Sequence, residues 1–380
     1  MKKIYQSSIL AILFAMIFFG CDNAEYSTKS NSIYIADAAS SSKSTTVFIE
    51  TTGADINIIV RLAKKMERDT EVTLKLNPAL LAEYNEQNST EYELLSSYKL
   101  PENAKVTIPA GDISAGYRIH IENFDTQGKN YAFPIELGDV VTGNVDMSVT
   151  QSKFIYLLAK PLIVSVPVMT GASGKITTLP EEKWGIGVAQ WSLECWVRMS
   201  AFSKNNQAIF NLGSSDHEIY IRFGDANGPY NYLQVKTLGG QVETARDFVS
   251  NTWYHLAFVY DGTTFTIYRN GEPDVKFDPP SPKNGEVRMD LVEMISSGSY
   301  FPDKCGMSQV RLWKVARTPN QIKNNMFFAI SPDNPDLIAY WPMDEGTGLS
   351  FTDITGNGHT ATATSASVIT EWEPNVRFDK

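Results

Sequence analysis

The apolar positions of this chain recur mainly in short alternating runs. In "TEVTLKL", Val72, Leu74 and Leu76 take one face and Thr73 and Lys75 the other, the period of a half-buried strand. "STTVFIETTG", "INIIVRLAKK", "AKVTIPAGD", "YRIHIENF", "YAFPIELGDV" and "KFIYLLAKP" read the same way, with a Pro-Ala-Gly-Asp turn splitting the third from the fourth. "ALLAEYNEQN" departs from the period, and Leu80, Leu81 and Tyr84 share one side of a short helix. Short strands joined by regular turns predict an all-β protein, with a first β-sandwich over residues 33–163.

Prolines, glycines and small residues crowd "KPLIVSVPVMTGASGKITTLPEE", which places a domain boundary near residue 165 and a second domain over 168–376. Its strands are "QWSLECWVRMS", "QAIFNLGS", "HEIYIRFGD", "NYLQVKTLG", "TWYHLAFVYDG", "TFTIYRNGEP" and "GMSQVRLWKVA". Asp261-Gly262 and Asn270-Gly271 are tight-turn pairs, and "TPNQIKNNM" is a short helix with Thr318 as N-cap and Pro319 at its first position. All seven tryptophans lie at or after position 184.

Sorting these strands by parity separates core from non-core faces. Trp191, Leu193, Cys195 and Val197 form the apolar face of their strand, which turns Glu194, Trp196 and Arg198 outward. Likewise Glu218, Tyr220 and Arg222, then Tyr232, Gln234 and Lys236, then Gln309, Arg311 and Trp313 point away from the core. Flat aromatics stack on sugar rings while Arg, Glu and Gln bond hydroxyls, so Trp196, Arg198, Tyr220, Arg222, Tyr232, Arg311 and Trp313 are the candidate glycan-binding residues. Tyr230, Tyr300 and Phe301 are loop aromatics that would extend such a surface. The alternative for Trp196 and Trp313 is packing beneath the terminal segments or the N-terminal domain.

The first 21 residues read as an export leader. "MKK" is followed by "ILAILFAMIFFG", too short to span a bilayer as a helix but the length of a signal-peptide core. Phe18-Phe19-Gly20-Cys21 resembles the lipobox of bacterial lipoproteins, which implies a signal peptide over 1–20 and a lipidated Cys21. Acyl chains at about 0.8 kcal/mol per buried CH₂ would hold the protein on a membrane. Residues 21–32 are polar and read as a tether. Asp22 and Glu25 loosely match the acidic residues that can mark surface export in Bacteroidetes lipoproteins, so an outer-membrane, cell-surface location is expected.

Length and charge narrow the partners. A chain of 380 residues is too long for one ordinary core. A net charge of −10 argues against nucleic acid, whose phosphates require clustered Lys and Arg.

Two resemblances add to this reading. "EVTLKLNPALLAEYNEQNSTEYELLSSYKLPENAKVTIPAGDISAGYRIHIEN" with "YAFPIELGDV" resembles the N-terminal domain of unknown function that precedes glycan-acting modules in Bacteroidetes surface lipoproteins. It implies a sandwich with a spacer or docking role over about residues 45–160. "WSLECWVRMS", "NTWYHLAFVYDGTTFTIYRNGE", "VRLWKVARTPNQI" and "LIAYWPMDEGTGLSFTDITGNGHTATA" resemble the laminin-G-like jelly roll of the concanavalin A-like lectin and glucanase group. That implies two antiparallel sheets, one concave, over about residues 168–375.

Catalytic patterns are not evident. Asp344, Glu345 and Asp353 near Trp341 resemble a sugar-cleaving site, but adjacent residues on extended backbone point opposite ways, and the glycines mark turns. In the resembled group this segment is a structural signature. A glucanase of the superfamily places carboxylates as E-x-D-x-x-E, whereas "MDLVEM" offers Asp290 and Glu293 at opposite parity. There is no H-E-x-x-H, G-x-S-x-G or phosphate loop. The histidines are scattered, and His120, His217 and His255 read as packed or surface residues. No cofactor is expected. Calcium is the metal to consider, with Asp225 and Asn227 as hard ligands, yet Ser308 stands where the resembled group often has Asp. Cys195 and Cys305 are either a disulfide or two buried apolar residues.

The expectation is a lipid-anchored surface protein whose jelly roll binds extracellular polysaccharide without cutting it. A glycoside hydrolase and a protein-binding subunit of a glycan-uptake assembly are the alternatives.

Overall fold

The computed structural model describes residues 31–39, 43–88, 90–95, 98–126, 129–178, 183–213, 217–280 and 286–379. Residues 31–159 build two facing sheets. One orders Ser114–Ile121, Ala54–Leu62, Ser32–Ile35 and Asp146–Met147; the other orders Ser44–Phe48, Lys153–Ala159, Tyr131–Thr142, Thr70–Leu76 and Lys105–Ile108, with Glu93–Leu94 added beside Tyr131–Thr142. Val72, Leu74, Ile58, Val60, Phe133 and Ile135 meet between them. The Pro-Ala-Gly-Asp turn carries the chain from one sheet to the other, since Lys105–Ile108 and Ser114–Ile121 lie in different sheets. The helix Pro78–Asn88 buries Leu81 against Tyr92, Ala132 and Ile155, a small cluster apart from the main core.

From Val164 onward the chain forms a jelly roll of two eight-stranded sheets. The first orders Glu272–Phe277, Phe265–Arg269, Tyr254–Tyr260, Trp191–Met199, Cys305–Trp313, Val164–Met169 and Ile369–Val376, with Leu337–Trp341 also paired to Cys305–Trp313. The second orders Gly240–Glu243, Leu233–Thr237, Ile219–Phe223, Gln207–Leu212, Val292–Met294, Ile176–Thr177, Ala361–Ala363 and Ser350–Phe351. Alternation sends Trp191, Leu193, Phe258, Leu312, Phe210, Ile221 and Val235 into one core between them. The pair Asn270-Gly271 has positive φ at both residues, as a two-residue hairpin of this hand needs.

The helix Pro319–Asn325 starts where its sequence says. Thr318 accepts from Gln321 N and the Gln321 side chain accepts from Thr318 N, with proline at the first position. Cys195 and Cys305 are both buried and free; Cys305 lies opposite Met199, four residues along the strand from Cys195. The two domains touch through Arg377, whose guanidinium donates to the Glu50 carboxylate at 3.0, 3.1 and 3.2 Å, and through Asn130 Nδ2, which donates to Asn325 Oδ1 at 3.2 Å.

Candidate functional site

The seven sequence-derived glycan residues do not share a surface. Trp196, Arg198, Arg311 and Trp313 stand on the outer face of the first jelly-roll sheet; Tyr220 and Arg222 stand on the outer face of the second, with Tyr232 at its rim. The strand parities hold, but the first face is roofed. Trp196 stacks flat on Phe378 at 4.6 Å, leans on Phe327 and donates its indole N–H to Met326 O at 2.7 Å. Trp313 is fully buried with Ile330, Leu337 and Tyr340, under the Arg317 guanidinium at 4.1 Å. Arg311 is buried and donates to Asn325 O and Phe328 O, carbonyls at and just beyond the helix C-terminus. Arg198 pairs with Glu373 and lies 4.8 Å from the Trp253 ring. These residues fasten the helix and the chain's last strand to the sheet, which corrects the expectation that Trp196, Arg311 and Trp313 face a ligand in the open. Phe301, expected on a loop surface, is in the core.

Beneath that roof sits a buried charged knot. Glu194 is 0 % exposed, with Arg317 Nε and His255 Nε2 each 3.6 Å from its oxygens and Arg311 opposite it in register. Burial, with the Arg311 charge added, pushes the His255 pKa down to about 3, so the imidazole is neutral.

The second sheet presents its outer face differently. Strand register aligns one side chain from each of its eight strands into a row: Gln241, Lys236, Tyr220, Asn211, Glu293, Thr177, Thr362 and Ser350. Gln241, Thr362 and Ser350 are exposed, and Lys236, Tyr220, Asn211 and Glu293 are half-buried. Asn211 donates to Glu293 at 3.2 Å, and Lys175 caps the same carboxylate.

Beside this row lies a second cluster. Arg222 Nη2 reaches Asp225 at 2.6 Å and Gln234 Oε1 at 2.7 Å, while its Nη1 donates to Asn206 Oδ1 at 2.9 Å. The Tyr220 hydroxyl donates to the same Asn206 oxygen, and Tyr232 Oη accepts from Asp225 N. Gln234 Nε2 donates to both Asp225 and Glu243 at 3.0 Å. The Gln234 amide, with Arg222 nearby, holds the Asp225 carboxyl below the usual range. Its charge is thus engaged by protein groups, and among the described residues no three His, Cys, Asp or Glu side chains gather to hold a metal.

Two hollows open along this face. One of about 350 Å³ is lined by Asp225, Asn227, Pro229, Tyr232, Glu243 and Asp247. The other, about 140 Å³, lies among Thr177, Thr178, Thr360, Thr362 and Thr364. The sequence pattern places Tyr220, Arg222 and Tyr232 on this side of the sheet, where Arg222 is buried among Asn206, Asp225 and Gln234 instead of facing a ligand in the open, and it does not single out Asn211, Glu293, Thr177 and Thr362. The alternation in "QAIFNL" and "LVEM" carried the signal for the first two.

The sugar-site look of the C-terminal segment resolves as a turn. Asp353 is buried and accepts from Tyr340 N, Thr355 N and His359 N, and Glu345 accepts from Thr352 N. Glu293 and Glu243 lie on strands four apart, about 19 Å, too far to flank one glycosidic bond.

A profile of the concanavalin A-like lectin/glucanases superfamily matches residues 170–323. The jelly roll belongs to that superfamily. A second profile, for an N-terminal domain, matches residues 26–143. Among solved structures, a Bacteroides ovatus protein provisionally described as carbohydrate-binding aligns over 91% of this chain and 99% of its own, at 22% identity and a TM-score of 0.54. That match shows a shared fold across both domains. A heptameric pentraxin of Limulus polyphemus aligns over 42% of this chain and 80% of its own (14% identity, TM-score 0.34). Domain 4 of a Geobacillus stearothermophilus arabinanase, bound to arabinotriose, aligns over 39% and 68% (17%, 0.30). At such scores neither speaks to what this chain does. No curated protein matches.

Proposed function

We propose that the protein is a lipid-anchored, outer-membrane surface protein whose concanavalin A-like domain binds an extended extracellular glycan without cleaving it. One observation carries the binding reading: a register-aligned polar row crosses all eight strands of a sheet face that is open except at Thr177, and hollows of about 350 and 140 Å³ flank it. Eight strands at about 4.8 Å give a row of about 34 Å, the reach of an oligomer and not of one sugar. Tyr220, third in the row, supplies a flat ring, and Lys236, Asn211, Gln241 and Thr362 supply donors and acceptors for hydroxyls. The match to a Bacteroides protein described as carbohydrate-binding agrees with this reading.

Anchoring rests on the leader sequence ending at Cys21, which lies outside the described residues. Among the described residues no helix is long and apolar enough to cross a membrane.

The test is affinity electrophoresis of the full chain in detergent against a panel of polysaccharides, with an assay for released reducing ends. Retardation without release is expected. Tyr220→Ala should weaken it about tenfold, the loss of one well-placed contact of about 1.4 kcal/mol. Release of reducing ends, or retardation that Tyr220→Ala leaves intact, would overturn the reading.

A further inference from the structure

The seam between the domains holds a cavity of about 390 Å³. Glu91 and Asn130 of the N-terminal sandwich face Trp313, Arg317, Asp333 and Asp336 of the jelly roll across it. It lies over the outer face of the first sheet, the opposite side of the jelly roll from the polar row.

Its lining has a specific chemistry. Arg317 covers the buried Trp313 ring at 4.1 Å, so its guanidinium and not the indole face is what the cavity presents. Arg317 faces the Glu194 carboxylate at 3.6 Å, and Glu91 of one domain and Asp336 of the other line the same cavity. Lys129 is already paired with Glu93 at 2.8 Å. Carboxylates outnumber free cations here, which disfavours an anionic ligand. The carboxylates of Glu91, Asp333 and Asp336, the Asn130 amide and the Arg317 guanidinium suit the hydroxyls of a neutral polyhydroxylated ligand. The volume is near the lower end of the usual range of about 300–1,000 Å³ for ligand pockets.

We infer that this seam is a second saccharide site, which takes a neutral mono- or disaccharide unit and clamps the two domains together when filled. It is independent of the sheet-face reading, because the two sites share no residue. A long polymer runs across the open row; a short sugar or a chain end enters the seam.

The experiment is hydrogen exchange on the full chain in detergent, with and without glucose, galactose, mannose, xylose, N-acetylglucosamine and disaccharides built from them. Protection by at least one sugar in 90–93, 129–130 and 313–336 is expected. Glu91→Gln combined with Asp333→Asn, both at exposed positions, should weaken that sugar about tenfold. The same pair should leave polysaccharide retardation unchanged, and Tyr220→Ala should do the reverse. No protection at the seam by any sugar of the panel would overturn the inference. So would protection confined to 207–243, or seam affinity that the double variant leaves intact.

Discussion

The two outer faces of the jelly roll are written in similar residues and end in opposite states. Strand parity turns Glu194, Trp196, Arg311 and Trp313 out of the core on one sheet, and Tyr220, Arg222, Gln234 and Lys236 on the other. On the first face the outward side chains are closed over by the helix Pro319–Asn325, the loop after it, and Phe378. On the second, the row from Gln241 to Ser350 keeps exposed ends and a middle that is half-buried except at the buried Thr177. An aromatic beside charges is thus either a fastening or a binding surface. What decides is whether another segment of chain lies on top.

Breaking the roof should produce the largest effect. Trp196→Ala removes a fully packed ring, its stack on Phe378 and its bond to Met326 O, and should cost about 4 kcal/mol in denaturant unfolding. Retardation by polysaccharide, measured where the variant is still folded, should not change. A specific loss of binding there would return Trp196 to a ligand surface.

Next comes the charged knot. Glu194→Gln leaves the buried Arg317 without its carboxylate and removes the negative charge opposite Arg311 in register, at a cost of about 3 kcal/mol. A neutral result would mean that water already compensates those guanidinium groups.

Parity was legible in the sequence; cover was not. Alternation in "WSLECWVRM" and "QVRLWK" gives the correct inward set, because a strand's two faces are fixed locally. Whether Trp196 meets solvent depends on Phe378 and Phe327, residues far along the chain that no local pattern connects to it. The helix cap at Thr318 was legible for the same reason that the roof was not: its bonds close within three residues. The polar row was half legible. Tyr220 and Lys236 stood out by type, whereas Asn211, Glu293 and Thr362 gain meaning once register sets them side by side.

The covered face should also show itself in pH dependence. His255 is held neutral with a pKa of about 3, while in the unfolded chain it protonates below about 6.5. Between those values the unfolded state binds the extra proton, so this residue makes stability fall as the pH drops from about 6.5 towards 3. The slope is up to about 1.4 kcal/mol per pH unit, and it vanishes above that window. His255→Gln should remove that part of the slope in unfolding measured between about pH 4.5 and 7. An unchanged slope would mean that His255 is protonated in the fold, balanced by Glu194.

The smallest effect should come from the open face, and it defines how much of that face works. Thr362 is exposed, at the far end of the row from Gln241, beside the smaller hollow. Thr362→Ala should change stability by no more than about 0.5 kcal/mol, as for a surface residue without buried partners. Its effect on binding depends on ligand length. If a glycan lies along the whole row, the variant should weaken long oligosaccharides and leave short ones, which fit near Tyr220, untouched. Titration of a length series against the wild type and Thr362→Ala would show this as a gap that opens with chain length. A uniform null across the series would confine binding to the half of the sheet around Tyr220 and the Asp225 hollow. A uniform loss across all lengths would mean that the change reaches Tyr220 through the sheet, and the row would then act as one rigid unit.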